Sequence, residues 1–184
     1  RLMKALKDLN PQIDPSVFED VVRKIEQSET PSLVEENRRL HGLITDGVDM
    51  EVMRDDGSLS GETIKLIDFD DINANDFLAV NQFTTIENGH DRRPDIVLFV
   101  NGLPLAVIEL KNAGDENATI DKAYSQIQTY KEQIPSLFRT NGLLITSDGL
   151  EARVGSLTAN KDRFMPWRTT DGVNVAKKGL PEME

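Results

Sequence analysis

The apolar residues in the first quarter of the chain recur with the 3.6-residue period of an α-helix. They predict three helices, with inward-facing residues at Leu2, Met3, Leu6 and Leu9, at Val17, Phe18, Val21, Val22 and Ile25, and at Leu33, Val34 and Leu40. Asp14-Pro15 and Thr30-Pro31 are typical helix starts, and His41-Gly42 is a typical helix end. The remaining charged positions of the third helix are interpreted as a solvent-exposed face, namely Glu35, Glu36, Arg38 and Arg39.

From Gly47 onward apolar and polar residues alternate with the period of a β-strand. The alternation predicts a strand at 48–52, a turn at Asp55-Asp56-Gly57, a second strand at 64–68 and a third at 77–86. Two further runs of Val, Ile, Leu and Phe flank Asn101-Gly102 and predict a β-hairpin over 95–111. About four consecutive strands of one sheet are therefore expected before the next helix.

A fourth helix is predicted after a polar loop at 112–117. Its apolar positions are Ile120, Ala123, Tyr124, Ile127 and Tyr130, and it ends near Pro135. Strands follow at 143–146 and, more weakly, at 152–155, and this order favours a right-handed crossover and a mixed sheet. The pattern predicts an α/β (α+β) fold, a mixed sheet flanked by helices, with a helical segment at 1–46, a core at 47–168 and a mobile tail or linker at 169–184.

The charged residues of the hairpin gather at its open end. Asp95 opens the first strand, and Glu109 and Lys111 close the second. Glu109 and Lys111 share a face because side chains two residues apart on a strand point the same way. Asp95 lies opposite Glu109 if the loop has three or five residues, or if a bulge intervenes. An odd or bulged loop is therefore predicted, with Gly102 supplying a positive φ.

Two carboxylates that face each other repel unless a proton or a cation lies between them. Mg²⁺ prefers oxygen ligands and keeps several waters, so its candidate ligands are Asp95, Glu109 and the backbone carbonyl of Leu110, with Mn²⁺ as a substitute. Lys111 is placed to orient or deprotonate an attacking water and to offset charge on a phosphate. These residue types are suited to hydrolysis of a phosphodiester.

Composition restricts the chemistry further. The 184 residues include no cysteine and two histidines, which excludes disulfides and thiolate sites and leaves oxygen as the main metal ligand. The net charge of −11 argues against a nucleic-acid clamp, so a nuclease of this composition is expected to depend on partners for DNA.

No apolar run approaches the roughly 18 residues of a membrane span, and a signal peptide is missing, which predicts a cytoplasmic protein. The start within a helical pattern, without Met, predicts a piece of a longer protein.

Four more residues are candidates for the same site. Gln126 and Tyr130 are four apart on the fourth helix and share a face, although alone they are more typical of a solvated position and a core aromatic. Arg92 and Arg93 precede Asp95 and are interpreted either as phosphate contacts or as an exposed loop pair. The chain has no match to the nucleotide-binding pattern G-x-x-x-x-G-K-[ST], so this segment is not expected to bind ATP.

These residues carry a resemblance to a known family. Pro94-Asp95, Glu109-Leu110-Lys111 and Gln126-x-x-x-Tyr130 match, in order, the PD-(D/E)xK nuclease signature with the QxxxY motif of its RecB-like branch. The longer string at 93–105, with Asn81-Gln82-Phe83-Thr84 before it, closely resembles the N-terminal nuclease domain of type I restriction enzyme R (HsdR) subunits. The resemblance covers about residues 9–168.

The resemblance implies a restriction-endonuclease-like fold and a Mg²⁺-dependent DNA endonuclease. It implies that Asp95 and Glu109 bind the metal and that Lys111 is the catalytic lysine. Gln126 and Tyr130 would position the lysine or the DNA backbone. In the complete subunit, the resemblance implies a motor that binds ATP and translocates double-stranded DNA, with specificity and methyltransferase subunits as partners.

One feature of the family is missing, and two alternatives stay open. Relatives usually carry another acidic residue on a helix before the sheet, and neither Glu35 nor Glu36 can be matched to it. One alternative is a catalytically silent docking module of the same complex, although such a module would have no reason to keep a cluster of like charges. The other is a different RecB-like nuclease, such as a junction resolvase or exonuclease, which the length of the resemblance disfavours.

Overall fold

The computed structural model describes residues 1–53, 57–112, 119–149 and 151–169. The chain divides into two compact units, one formed by Arg1–Leu78 and Phe99–Leu103 and the other by Ala79–Leu98 and Pro104–Glu184. The division predicted at residues 46 and 168 stays a prediction, and most of the predicted tail, residues 170–184, lies outside the described residues. No helix in the described ranges is long and apolar enough to cross a membrane.

The helical pattern of the sequence is confirmed, with shifted ends. The helices are α1 (Leu2–Leu9), α2 (Val17–Glu26), α3 (Leu33–Asp46) and α4 (Ile120–Gln133). Helix α2 begins two residues after Pro15, because the Asp14 carboxylate accepts a hydrogen bond from the Ser16 amide and closes a turn first. Helix α3 continues through His41-Gly42, where an end was predicted, and ends at Gly47, whose φ of 88° is strained for other residues.

The charged face predicted for α3 is wrong at Glu36. This side chain is 1% exposed and pairs with Arg39, whose guanidinium also donates to the backbone carbonyls of Lys24 and Gln27. Val34, predicted to face inward, is 44% exposed. A charged pair three residues apart is typical of an exposed helix surface, but here the Arg39 guanidinium binds both the Glu36 carboxylate and two carbonyls at the end of α2.

The described strands form three sheets rather than one. They are β1 (Val48–Met53), β2 (Leu59–Ile64), β3 (Phe77–Asn81), β4 (Thr85–Glu87), β5 (His90–Arg92), β6 (Ile96–Val100), β7 (Leu103–Leu110), β8 (Leu143–Ser147), β9 (Ala152–Gly155) and β10 (Met165–Pro166). Strands β1 and β2 pair only with each other, so the expected run of four strands in one sheet is wrong. The strand predicted at 77–86 divides at Gln82, and β4 pairs with β5. Of the predicted turn before β2, Asp55 and Asp56 lie outside the described residues, as do 113–117 of the predicted polar loop.

The central sheet has six strands in the order β10-β9-β8-β7-β6-β3. Strand β8 runs parallel to β7, with α4 between them in the chain, and β9 and β10 continue antiparallel. This confirms the mixed sheet and the α/β class, while the handedness of the crossover stays a prediction. Strand β7 is buried over four consecutive residues, Ala106 to Glu109, as expected for a central strand with both faces covered.

The hairpin between β6 and β7 is confirmed, but its predicted odd loop is wrong. Two residues connect the strands, Asn101 with a φ of 54° and Gly102 with a φ of 87°, which is the tight turn that Asn-Gly favours. A Cβ on Gly102 would also lie 2.7 Å from the backbone nitrogen of Leu2. The odd loop was required only if Asp95 followed the strand's alternation, and Asp95 lies at a bend one residue before β6 begins.

Candidate metal and catalytic site

The Asp95 carboxylate is fixed by two neighbouring segments of the second unit. Its Oδ2 accepts a hydrogen bond of 2.8 Å from the backbone amide of Leu110, at the end of β7. Its Oδ1 accepts a hydrogen bond of 3.0 Å from the side-chain amide of Gln82, which follows β3. The carboxylate therefore reaches the end of the hairpin where Glu109 and Lys111 lie.

Glu109 combines burial with an incomplete set of hydrogen bonds. The residue is 1% exposed, and its Oε1 accepts a hydrogen bond of 2.8 Å from Lys111 Nζ. Its Oε2 is buried and accepts no hydrogen bond of good geometry from the described residues, although the Tyr130 hydroxyl is near enough to lower the pKa of the Glu109 carboxyl. Burial raises the pKa of the Glu109 carboxyl, and the charge of Asp95 raises it further, against the opposing effect of the Lys111 ammonium. A buried, unpaired carboxylate oxygen is costly, and a cation beside it would remove that cost.

A chain of hydrogen bonds joins the strand to α4. Lys111 Nζ donates to the side-chain carbonyl of Gln126 at 2.7 Å, and the Gln126 amide donates to the Tyr130 hydroxyl oxygen. Gln126 thus uses its acceptor on the lysine and its donor on the tyrosine, and Tyr130 keeps its own proton to donate. Burial raises the pKa of Tyr130 to about 12, so the phenol stays protonated at neutral pH. The structure brings Asp95, Glu109, Lys111, Gln126 and Tyr130 together at the C-terminal end of β7.

The two arginines before Asp95 have different surroundings. Arg92 lies on β5, where its Nε donates to Gln133 near the end of α4 and its Nη1 donates to the carbonyl of Asp91. Arg93 is exposed, and within the described part of the chain its guanidinium makes no hydrogen bond or ion pair. Both border an open cleft of about 480 Å³ beside the site, lined by Asp91, Arg92, Arg93, Ser125, Gln126, Thr129 and Tyr130.

The oxygen donors at the C-terminal end of β7 fit a hard divalent cation. In the described ranges no three Asp, Glu or His side chains are grouped so that they could share a metal ion, and Glu36 is committed to Arg39. A Mg²⁺ site needs only one or two carboxylates, however, because the ion keeps several of its waters. The unpaired Oε2 of Glu109, with Asp95 close enough to raise the Glu109 pKa, supplies such a pair. The Leu110 carbonyl as a third protein ligand stays a prediction.

Gln82 is the site residue that the sequence pattern did not predict. Its backbone amide donates to the Asp95 carbonyl at 2.8 Å, in addition to its side-chain bond to the carboxylate. The tetrapeptide that contains it contributed only to the family resemblance. A glutamine after a strand carries no local signal of contact with a residue 13 positions later.

Comparisons with known proteins give a consistent result. The family model for the type I restriction enzyme R protein N terminus matches residues 1–163. The chain is 42% identical to the type I restriction enzyme HindI endonuclease subunit of Haemophilus influenzae, over 97% of this chain and 17% of that protein. It is 35% identical to a putative type I restriction enzyme MjaIXP endonuclease subunit of Methanocaldococcus jannaschii, over 91% of this chain and 16% of that protein. The chain thus spans about one sixth of the length of these relatives.

Proposed function

Because this chain belongs to the family of type I restriction enzyme R protein N-terminal domains, we propose that it is the nuclease domain of such an endonuclease subunit and hydrolyses phosphodiester bonds of double-stranded DNA. One observation carries the proposal. Glu109 keeps a buried, unpaired carboxylate oxygen next to a lysine and within electrostatic reach of a second carboxylate. A domain that served only for docking would gain stability by replacing this cluster with apolar side chains.

The residues have separate roles in the proposed reaction. Asp95 and Glu109, with the Leu110 carbonyl, hold Mg²⁺ or Mn²⁺, and the ion when bound supplies a Lewis acid for the phosphate and lowers the pKa of a water. Lys111 offsets charge that grows on the phosphate and orients the attacking water. Gln126 holds the Lys111 ammonium in place, and Tyr130 holds Gln126.

The rest of the proposed activity belongs to the complete subunit and its complex. The relatives are about six times longer than this chain, which leaves room for a motor that binds ATP and translocates DNA. The net charge of −11 favours delivery of DNA by such a motor and by specificity and methyltransferase subunits, since an independent DNA clamp typically carries a net positive charge. The proposed location is the cytoplasm.

A Mn²⁺ soak tests the metal site against the docking alternative. Crystals of the wild-type protein soaked in Mn²⁺ are expected to show an anomalous density peak between Asp95 and Glu109, because these carboxylates are the donors left for a hard cation. Crystals of Asp95→Ala under the same conditions are expected to lose the peak, whereas Asp121→Ala, which removes an exposed partner of Lys161, should keep it. No peak in the wild type at high Mn²⁺ would favour the silent docking module.

The two arginines are expected to respond differently to substitution. Arg93→Gln should reduce the slope of log affinity for DNA against log salt concentration by about 1, because an exposed guanidinium in the cleft can neutralise one phosphate. Arg92→Gln should leave that slope unchanged and lower the melting temperature, because it removes the hydrogen bond to Gln133. Equilibrium binding of the complete complex at several salt concentrations distinguishes the two roles. Equal slopes for Arg93→Gln and wild type would exclude Arg93 as a phosphate contact.

A further inference from the structure

Gln82 has an unusual backbone conformation beside the site. It follows the last residue of β3 and has a φ of 53°, in the left-handed region that side chains with a Cβ rarely adopt. The described chain has two other non-glycine residues with positive φ, Asn88 and Asn101. Both are asparagines, which tolerate this region well, and both lie in two-residue turns completed by a glycine.

Gln82 also lies in a turn, but the turn accounts for the positive φ and not for the choice of a glutamine. Gln82 is followed by Phe83, and a glycine or asparagine would adopt the same φ at lower cost. Strained backbone persists where the surrounding structure requires it, and it concentrates at functional sites. The contacts made by the side chain are therefore the relevant evidence.

The conformation of Gln82 directs two donors at Asp95. The backbone amide donates to the Asp95 carbonyl at 2.8 Å, and the side-chain amide donates to Oδ1 at 3.0 Å. Since the Leu110 amide already binds Oδ2, both carboxylate oxygens are fixed, one from each flanking segment. Without the Gln82 side-chain amide, the carboxylate would keep only the hydrogen bond from Leu110, and rotation about its Cβ–Cγ bond would be less restricted.

We propose that Gln82 is a positioning residue that holds the Asp95 carboxylate in its metal-binding orientation at the expense of backbone strain. The inference rests on the proposed metal-dependent nuclease. The role requires a side chain that is long enough to reach Asp95 Oδ1 and that can donate a hydrogen bond to it. Outer-shell partners of this kind typically contribute about 10- to 100-fold to metal affinity or activity.

Three variants of the complete subunit, assembled in its complex, test the role beside a reference variant, Asp95→Ala. Gln82→Gly relieves the strain and removes the donor, and Gln82→Met keeps a side chain of similar length without a donor. Asn88→Gly is the matched control, because it relieves a similar positive φ in the β4-β5 turn, away from Asp95. Mn²⁺ binding is measured by electron paramagnetic resonance without nucleotide, with Asp95→Ala as the reference for other Mn²⁺ sites. Melting temperature and ATP hydrolysis are measured in parallel.

Both Gln82 variants are expected to weaken Mn²⁺ binding and DNA cleavage by about 10- to 100-fold. Melting temperature and ATP hydrolysis should be unchanged for Gln82→Gly, and Asn88→Gly should match the wild type in all four measurements. Wild-type Mn²⁺ affinity in Gln82→Gly and Gln82→Met would overturn the inference. So would a fall in melting temperature with unchanged affinity, because it would assign Gln82 to folding alone. Wild-type cleavage by Asp95→Ala would instead refute the proposed nuclease itself.

Discussion

Glu109→Gln in the complete restriction complex is expected to reduce cleavage of circular DNA by more than about 1000-fold while ATP hydrolysis continues. Loss of a direct metal ligand should exceed the 10- to 100-fold effect typical of outer-shell partners. Glutamine has nearly the same volume as glutamate, so the packing around this buried side chain is preserved. The measurement is the rate of linearisation of circular DNA, with ATP hydrolysis recorded in the same reaction.

The same substitution separates function from stability. The folded state raises the Glu109 pKa, so ionisation of this carboxyl lowers the free energy of unfolding as the pH rises above its unfolded pKa. Removing the charge should therefore leave the metal-free protein at least as stable as the wild type at neutral pH. Glu151→Gln, which removes an exposed partner of Arg153, is the matched control and should cleave normally. Near-normal cleavage by Glu109→Gln would exclude Glu109 as a ligand.

Lys111→Met is expected to reduce cleavage by about 100- to 1000-fold, the range found when one preorganised electrostatic group is removed from a transition state. The ammonium lies 2.8 Å from Glu109 Oε1 and 2.7 Å from Gln126 Oε1, so its position is fixed before DNA binds. Methionine keeps most of the aliphatic stem and removes the charge. Single-turnover cleavage after translocation measures the loss in the chemical step.

Metal binding should distinguish the roles of Lys111 and Glu109. Glu109→Gln is expected to lose Mn²⁺ binding, whereas Lys111→Met should keep it, since the ammonium binds Oε1 and the candidate metal donor is Oε2. Lys161→Met removes an exposed lysine that pairs with Asp121 and should change neither property. Normal single-turnover cleavage by Lys111→Met would exclude a catalytic role for this lysine.

The local pattern of the sequence predicted the hairpin well. Asn-Gly between two runs of β-branched and aliphatic residues specifies a tight turn, and the turn is found at Asn101 and Gly102. The helical period likewise located α4, because Ala123, Ile127 and Tyr130 are buried along one of its faces. The tight turn and the helix depend on residues close together in the sequence, so the local sequence pattern was enough to predict them.

The features that were wrong or missed depend on tertiary structure. Asp95 was assumed to follow strand alternation, but a bend before β6 frees its side chain from that rule. Glu36 has the spacing of an exposed ion pair, yet it is buried, and its partner Arg39 also binds backbone carbonyls of a preceding segment. Gln82 contacts Asp95, which follows the β4-β5 hairpin, and the hydrophobic period of the sequence does not predict such a contact.

The turn between β6 and β7 limits how this domain can be exchanged between proteins. Residues 99–103 belong to the first unit, although the strands on either side continue into the second. The buried Asn101 amide donates to the Leu66 carbonyl and to Asn75, and its oxygen accepts from the Asp76 amide. A chimeric subunit that received only the β6-β7 hairpin would leave these buried polar groups unsatisfied. A gene fusion meant to transfer the proposed nuclease site must therefore carry at least residues 66–130, which include the partners of Asn101 and the Lys111, Gln126 and Tyr130 side chains.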